Sequence, residues 1–142
     1  QPDPGNPASV PEATVRQWVE EGVLEWLGHV EDMPALFRSV DVVALPSYRE
    51  GLPKGLIEAG ASGCALVTTD VPGCRAVVTD GVDGLLVPAR QSGPLVAALA
   101  RLDDEPGLRA RLATCARSKA ISHFDERIVV NATLQSYNEV RA

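Results

Sequence analysis

Glu50 and Glu58 stand between two short apolar runs, with Gly51, Leu52, Lys54 and Gly55 between them. A carboxylate accepts two hydrogen bonds at once, so Glu58 suits vicinal hydroxyls such as those of a ribose. Glu50, in a loop beside a helix start, can hold sugar hydroxyls or balance positive charge developing in a reaction. Free N–H groups at that helix start and in the Gly-containing loop offer donors to an anion such as a diphosphate. The same residues also have a purely structural reading. Glu50 then does no more than favour the helix dipole, and Glu58 pairs with Lys54 one turn back. Spacing alone leaves both readings open.

The elements that must position this pair are legible around it. Asp41-Val-Val-Ala-Leu-Pro46 is an apolar run that predicts a buried strand, and Ser47–Gly51 is a turn. Pro53 stands at the first helical position, where proline is most readily accepted, and a helix follows over 54–62 with Gly63 as its stop. Ala65-Leu-Val-Thr-Thr69 predicts a second buried strand. Such a unit presents its loops at the carboxyl edge of a parallel sheet, where ligands bind. Thr69, Asp70, Val71 and Gly73 stand at the same edge.

Toward the amino end, residues 1–9 read as a lead-in loop, and Ser9 can cap a helix over 11–21 that Gly22 ends. Val23–Leu27 predicts a strand, Gly28-His29-Val30 a loop, and 33–39 a short helix. Beyond the centre, 75–79 predicts a short helix and 84–87 a last strand, with helices over 94–102, 108–122 and 125–140. Leu108, Leu112, Cys115 and Lys119 recur at helical spacing, while Arg109, Arg111 and Arg117 read as a solvated face.

The 142 residues suffice for one domain with a core, and the net charge of −6 argues against a nucleic-acid or anionic-membrane surface. No stretch is apolar over the length a membrane helix needs. Cys64, Cys74 and Cys115 are odd in number and lack metal-ligand spacing, which predicts free thiols and no metal. Cys74 falls at a candidate helix start, where a thiol can be acidified, although a small residue tolerated in a turn explains it as well. His29 and His123 do not form a metal pair.

Four motifs taken together resemble one family. They are Gly28-His-Val-Glu-Asp-Met33, Ala-Leu-Pro-Ser47 followed by the Glu50-x7-Glu58 pair, Thr69-Asp-Val-Pro-Gly-Cys-Arg75, and Asp80-Gly-Val-Asp-Gly-Leu-Leu-Val-Pro88. In this order they resemble the C-terminal half of retaining family-four glycosyltransferases of the GT-B fold, most of all bacterial enzymes that build O-antigen, capsule and other surface polysaccharides. The resemblance covers roughly residues 22–140 and implies an α/β, Rossmann-like parallel sheet of about four strands flanked by helices. It further implies a single donor-binding domain over 1–142, truncated at its N-terminal end and inactive alone, and a nucleotide-diphosphate sugar as co-substrate, with no other cofactor. The missing partner would be the N-terminal acceptor domain, and the place of action the cytoplasm, at the inner face of the membrane in the complete enzyme.

By the same resemblance Glu58 holds the ribose, Glu50 contacts the transferred sugar as the catalytic residue, and Gly51, Leu52, Lys54 and Gly55 line the diphosphate. Gly28, His29 and Val30 run beside the base, and Asp70 faces the crevice. Competing expectations are a nucleotide-sugar or partner-binding module without turnover, and the donor domain of a GT-B epimerase or phosphorylase. Pro53 replaces a family Gly and removes an N–H, Gly55 weakens a helix start, and Ala76 stands where relatives place Glu. In the family's sheet the strands matching 23–27 and 41–46 flank two earlier strands that this sequence lacks. That predicts direct pairing of 23–27 with 41–46, or a homodimer that covers the exposed edge.

Overall fold

The computed structural model describes residues 10–125, 127 and 128. Two compact units divide the chain, the first over Gln1–Met33 and the second over Pro34–Ala142.

In the first unit α1 (Glu12–Glu20) follows Pro11. An Arg16–Glu12 ion pair spans one turn on its exposed side, and Gly22 ends the chain reversal with φ +70°. Residues 23–27 form no strand: among the described residues they enter no ladder. Its apolar composition alone does not make a strand, because a strand exists through its partner's hydrogen bonds. Val23, Leu24, Trp26 and Leu27 all remain exposed.

The second unit continues α2 (Met33–Arg38) and then alternates: β1 (Val42–Leu45), α3 (Lys54–Ser62), β2 (Ala65–Thr69), α4 (Pro72–Val77), β3 (Leu85–Val87), α5 (Ser92–Asp104) and α6 (Pro106–His123). The sheet has three strands instead of about four, in the order β1-β2-β3, and every pairing is parallel. Val42 lies opposite Ala65 and Val67 opposite Leu85. The central strand β2 is buried along its whole length, as its unbroken Ala-Leu-Val-Thr-Thr run requires. The expected burial of 41–46 is not met, since β1 has a ladder on one side only and its residues are half-buried or exposed.

Alternation along β2 sends Ala65 and Val67 to one face, where they pack with Leu85, Val87, Leu102 and Leu112. Leu66 points to the other face, toward α3 and α6, where Gly60 brings those helices close: a Cβ there would lie 3.5 Å from Ala116. α3 ends at Gly63 with φ 93°, as its sequence indicates. A polar clasp anchors α6. Lys119 Nζ reaches the buried Asp83 carboxylate at 3.0 Å and Thr79 Oγ1 at 3.0 Å, and Asp83 Oδ1 accepts the Thr79 N–H at 2.6 Å. Lys119, one of the residues recurring at helical spacing, thus belongs to this clasp. Arg109 and Arg111 are also engaged, donating to the carbonyls of Leu102 and Gly81. The helix expected over 125–140 falls mostly outside the described residues, as does the Ser9 cap.

Candidate functional site at the carboxyl edge of the sheet

Three parallel strands deliver three loops to one edge: 46–53 after β1, 70–71 after β2 and 88–91 after β3. Hydroxyl groups bind the first two together. Thr68 Oγ1 donates to the Leu45 carbonyl at 2.8 Å, and Thr69 Oγ1 donates to the Ser47 carbonyl. Ser47 Oγ in turn donates to Glu50 Oε1 at 2.5 Å. Glu50 is half-buried, and its carboxylate is therefore aimed by the loop itself. Serine three residues before the glutamate was the available sequence signal for this bond, since short polar side chains bind back to nearby positions.

α4 (Pro72–Val77) approaches that loop closely at Gly73. A Cβ on Gly73 would stand 2.2 Å from the Gly51 carbonyl oxygen and 2.4 Å from that of Glu50. Peptide 50–51 therefore rests on the first turn of α4, and only glycine leaves room for it. α4 begins at Pro72, not near Arg75 as expected, because Val71-Pro72 supplies an extended residue followed by proline at the first position. Cys74 is consequently buried inside a helix, 3.0 Å from Thr68 Oγ1, instead of in the loop before a helix start. That placement favours its reading as a small packing residue.

α3 supplies the remaining groups. Pro53 is its N-cap and is buried, one position earlier than expected. The amides of Lys54 and Gly55 have no protein acceptor among the described residues, while Leu56 and Ile57 bond to the Pro53 carbonyl. Both Gly51 and Gly55 face open space, so protein packing does not demand a glycine at either. Leu52 is exposed. Glu58, on the next turn, is exposed, and among the described residues it has no ion pair with Lys54. Asp70 is different: its Oδ1 accepts from Arg75 Nη1 at 2.7 Å, so it is already engaged.

In the first unit Gly28 adopts φ +65°, His29 is exposed and Val30 is half-buried. Among the described residues no group of His, Cys, Asp and Glu gathers as metal ligands, and no helix is long and apolar enough to cross a membrane. The contact that sequence reasoning did not find lies on the third loop, where the Arg90 guanidinium stacks 5.3 Å from the centre of the Tyr48 ring. The two residues are distant in sequence and offer no joint signal.

Solved structures share this architecture. A cyanobacterial protein from Anabaena, Alr3699/HepE, solved with UDP, superposes with a TM-score of 0.84 at 23% identity over 89% of this chain and 36% of its own. Sucrose-phosphate synthase from Thermosynechococcus elongatus superposes at 0.80, with 23% identity, over 98% and 36%. The fold is thus that of one half of a GT-B glycosyltransferase.

The family model for glycosyl transferases group 1 matches residues 4–105, and the chain belongs to that family. An N,N'-diacetylbacillosaminyl-diphospho-undecaprenol alpha-1,3-N-acetylgalactosaminyltransferase of Campylobacter jejuni is 31% identical over 92% of this chain and 34% of its own length. A D-inositol 3-phosphate glycosyltransferase of Salinispora arenicola is 38% identical over 79% and 25%. The chain spans about a quarter to a third of these relatives.

Proposed function

We propose that this chain is the donor-binding part of a retaining glycosyltransferase that moves a hexose from a nucleotide diphosphate during bacterial surface-polysaccharide synthesis. The observation that carries the reading is the contact of peptide 50–51 with Gly73. It sets a hydroxyl-aimed Glu50 beside the unsatisfied amides of Lys54 and Gly55, with Glu58 one turn further along the same helix. Glu58 takes the ribose hydroxyls, the amides and the Gly51–Leu52 backbone take the diphosphate, and Glu50 takes the sugar. The base-contacting part of Gly28, His29 and Val30 rests on the motif resemblance alone. Asp70 acts indirectly, by fixing Arg75 at the crevice.

In the reaction so proposed, the bond from the anomeric carbon to the diphosphate breaks while the acceptor oxygen bonds to the same face of that carbon. The acceptor's proton passes to the departing diphosphate. Amides already aimed at the leaving group stabilise its developing charge without reorganisation. Relatives named for transfer to diphospho-undecaprenol, from Campylobacter jejuni and Escherichia coli, support a polyprenol-linked acceptor, and action at the inner face of the membrane is part of the same proposal. The N-terminal acceptor domain is the partner this reading requires, and a second copy of the chain is the partner proposed for the free edge of β1.

Calorimetric titration with uridine and guanosine diphosphates tests the donor reading. One of the two should bind, and Glu58→Ala should weaken it; no binding of either overturns the reading. The alternative reading is a binding module without turnover. Transfer assays on the complete polypeptide separate the two, and sugar epimerisation or phosphorolysis in place of transfer would identify the other GT-B chemistries.

A further inference from the structure

A second cavity opens at the same edge, with a volume of about 280 Å³. Its walls include Tyr48 from the first loop, Thr69 from the end of β2, and Arg90, Gln91, Ser92 and Leu95 from the third loop and α5. None of Glu50, Gly51, Lys54 and Glu58 lines it. The loop after β1 contributes to both places: its Ser47 binds the Glu50 carboxylate, and its Tyr48 meets Arg90.

The chemistry of this cavity is one-sided. Arg90 is the only formally charged residue among those lining it, and no carboxylate joins it. Arg90 lies over the Tyr48 ring, and no hydrogen bond or ion pair among the described residues occupies its N–H fork, the group that grips a phosphate or carboxylate. Among the described residues the Arg90, Gln91, Ser92 and Tyr48 side chains have no hydrogen-bond partner. Thr69 has no proton left for an anion, since its hydroxyl donates to the Ser47 carbonyl, but its oxygen can still accept from a sugar hydroxyl. Val87 and Leu95 supply an apolar floor. Pockets for drug-sized ligands begin near roughly 300 Å³, so the space suits a single sugar ring with its substituent.

We propose that this cavity is a second ligand site, which takes an anionic sugar through the Arg90 fork with the sugar ring against Tyr48. The shared chemistry is an oxyanion on a polyhydroxylated ring, and either a phosphate ester or a uronic carboxylate supplies it. The proposal requires nothing of Glu50 or Glu58 and stands apart from the donor reading.

Amide and arginine side-chain NMR of the labelled chain tests it, by titration with glucose 1-phosphate, glucuronate, glucose and inorganic phosphate, each with and without uridine diphosphate. Signals of Tyr48, Arg90, Gln91 and Ser92 should shift with glucose 1-phosphate or glucuronate, more weakly with glucose or phosphate alone, and equally with uridine diphosphate present. The tighter of the two anionic sugars identifies the oxyanion. Arg90→Asn, chosen because Asn tolerates the φ of 63° at this position, should weaken binding about tenfold, the worth of a charge-assisted bond. It should leave any response to uridine diphosphate at residues 50–58 unchanged. Tyr48→Ala should weaken the sugar esters and spare inorganic phosphate. Shifts confined to 50–58, no shifts at all, unchanged affinity in Arg90→Asn, or phosphate binding as tightly as its sugar ester would each overturn the proposal. Failure of the donor reading would show separately, as silence of 50–58 toward uridine diphosphate.

Discussion

Glu58 and Glu50 are both acidic and close in sequence, yet their surroundings differ. Glu58 is exposed and has no protein partner among the described residues, so a ligand hydroxyl competes only with water. Glu58→Ala in the complete enzyme should therefore cost roughly 1.5 to 3 kcal/mol of nucleotide affinity and narrow the preference for ribose over deoxyribose nucleotides. Unchanged affinity for both would return Glu58 to a structural role. Glu50→Gln keeps an oxygen for Ser47 and removes only the charge. Nucleotide diphosphate binding should survive while the barrier to transfer rises by roughly 3 to 4 kcal/mol, as expected for one oriented electrostatic contact; equal turnover would exclude the residue from catalysis. Cys64 illustrates a residue whose surroundings oppose its charge. Its Sγ donates to the Phe37 carbonyl at 3.1 Å, and burial, with the Asp41 carboxylate adding to it, pushes the thiol up. A folded pKa above the unfolded value of about 8.5 means full stabilisation at neutral pH and a loss as pH rises through that value toward the folded one. Denaturant unfolding at pH 7 and pH 10 should show this loss in the native sequence and a smaller one in Cys64→Ala.

At the scale of elements, what could be read from sequence is what local chemistry decides. α3, its Gly63 stop and β2 have the residue ranges their sequence predicts, because helix period, a glycine stop and an unbroken apolar run are each contained in the segment. Residues 23–27 have the composition of a strand but lack a ladder, and no feature of those five residues could have revealed it. Val71-Pro-Gly-Cys74 reads as a loop until Gly73 is seen to need no side chain. At the candidate site the spacing of Glu50 and Glu58 around a helix start was legible; the Ser47 bond to Glu50 was half-legible, and the Tyr48–Arg90 contact was not, since only the fold brings those two loops together. Gly73→Ala tests how firmly one element leans on another. A methyl group 2.2 Å from the Gly51 oxygen must push the loop away from α4, costing about 1 to 3 kcal/mol of stability by overpacking. Thermal unfolding measures that cost, and donor affinity should fall with it. An unchanged melting temperature with intact binding would show that the loop is free of α4.

For the whole molecule the decisive feature is the free side of β1. Four residues, Val42–Leu45, present a ladder on one side only among the described residues, with no lysine or proline within the strand to discourage pairing. Such an edge tends to join another chain. Light scattering across a concentration series should show association of the isolated chain, and Val43→Lys should suppress it. A persistent monomer at every concentration excludes the dimer. The expected strand over 23–27 is not formed among the described residues, so its pairing with this strand is not met.

The contact at Gly73 also has a hereditary consequence. Two segments that touch backbone to backbone cannot drift separately, since a side chain gained by one has to be accommodated by the other. In a selection for restored activity after Gly73→Ala, second-site suppressors should cluster in residues 48–52, where the chain can be re-routed, and not along the rest of α4. Recombination between diverged copies of the gene should succeed when both segments come from one parent and fail when a crossover falls between them.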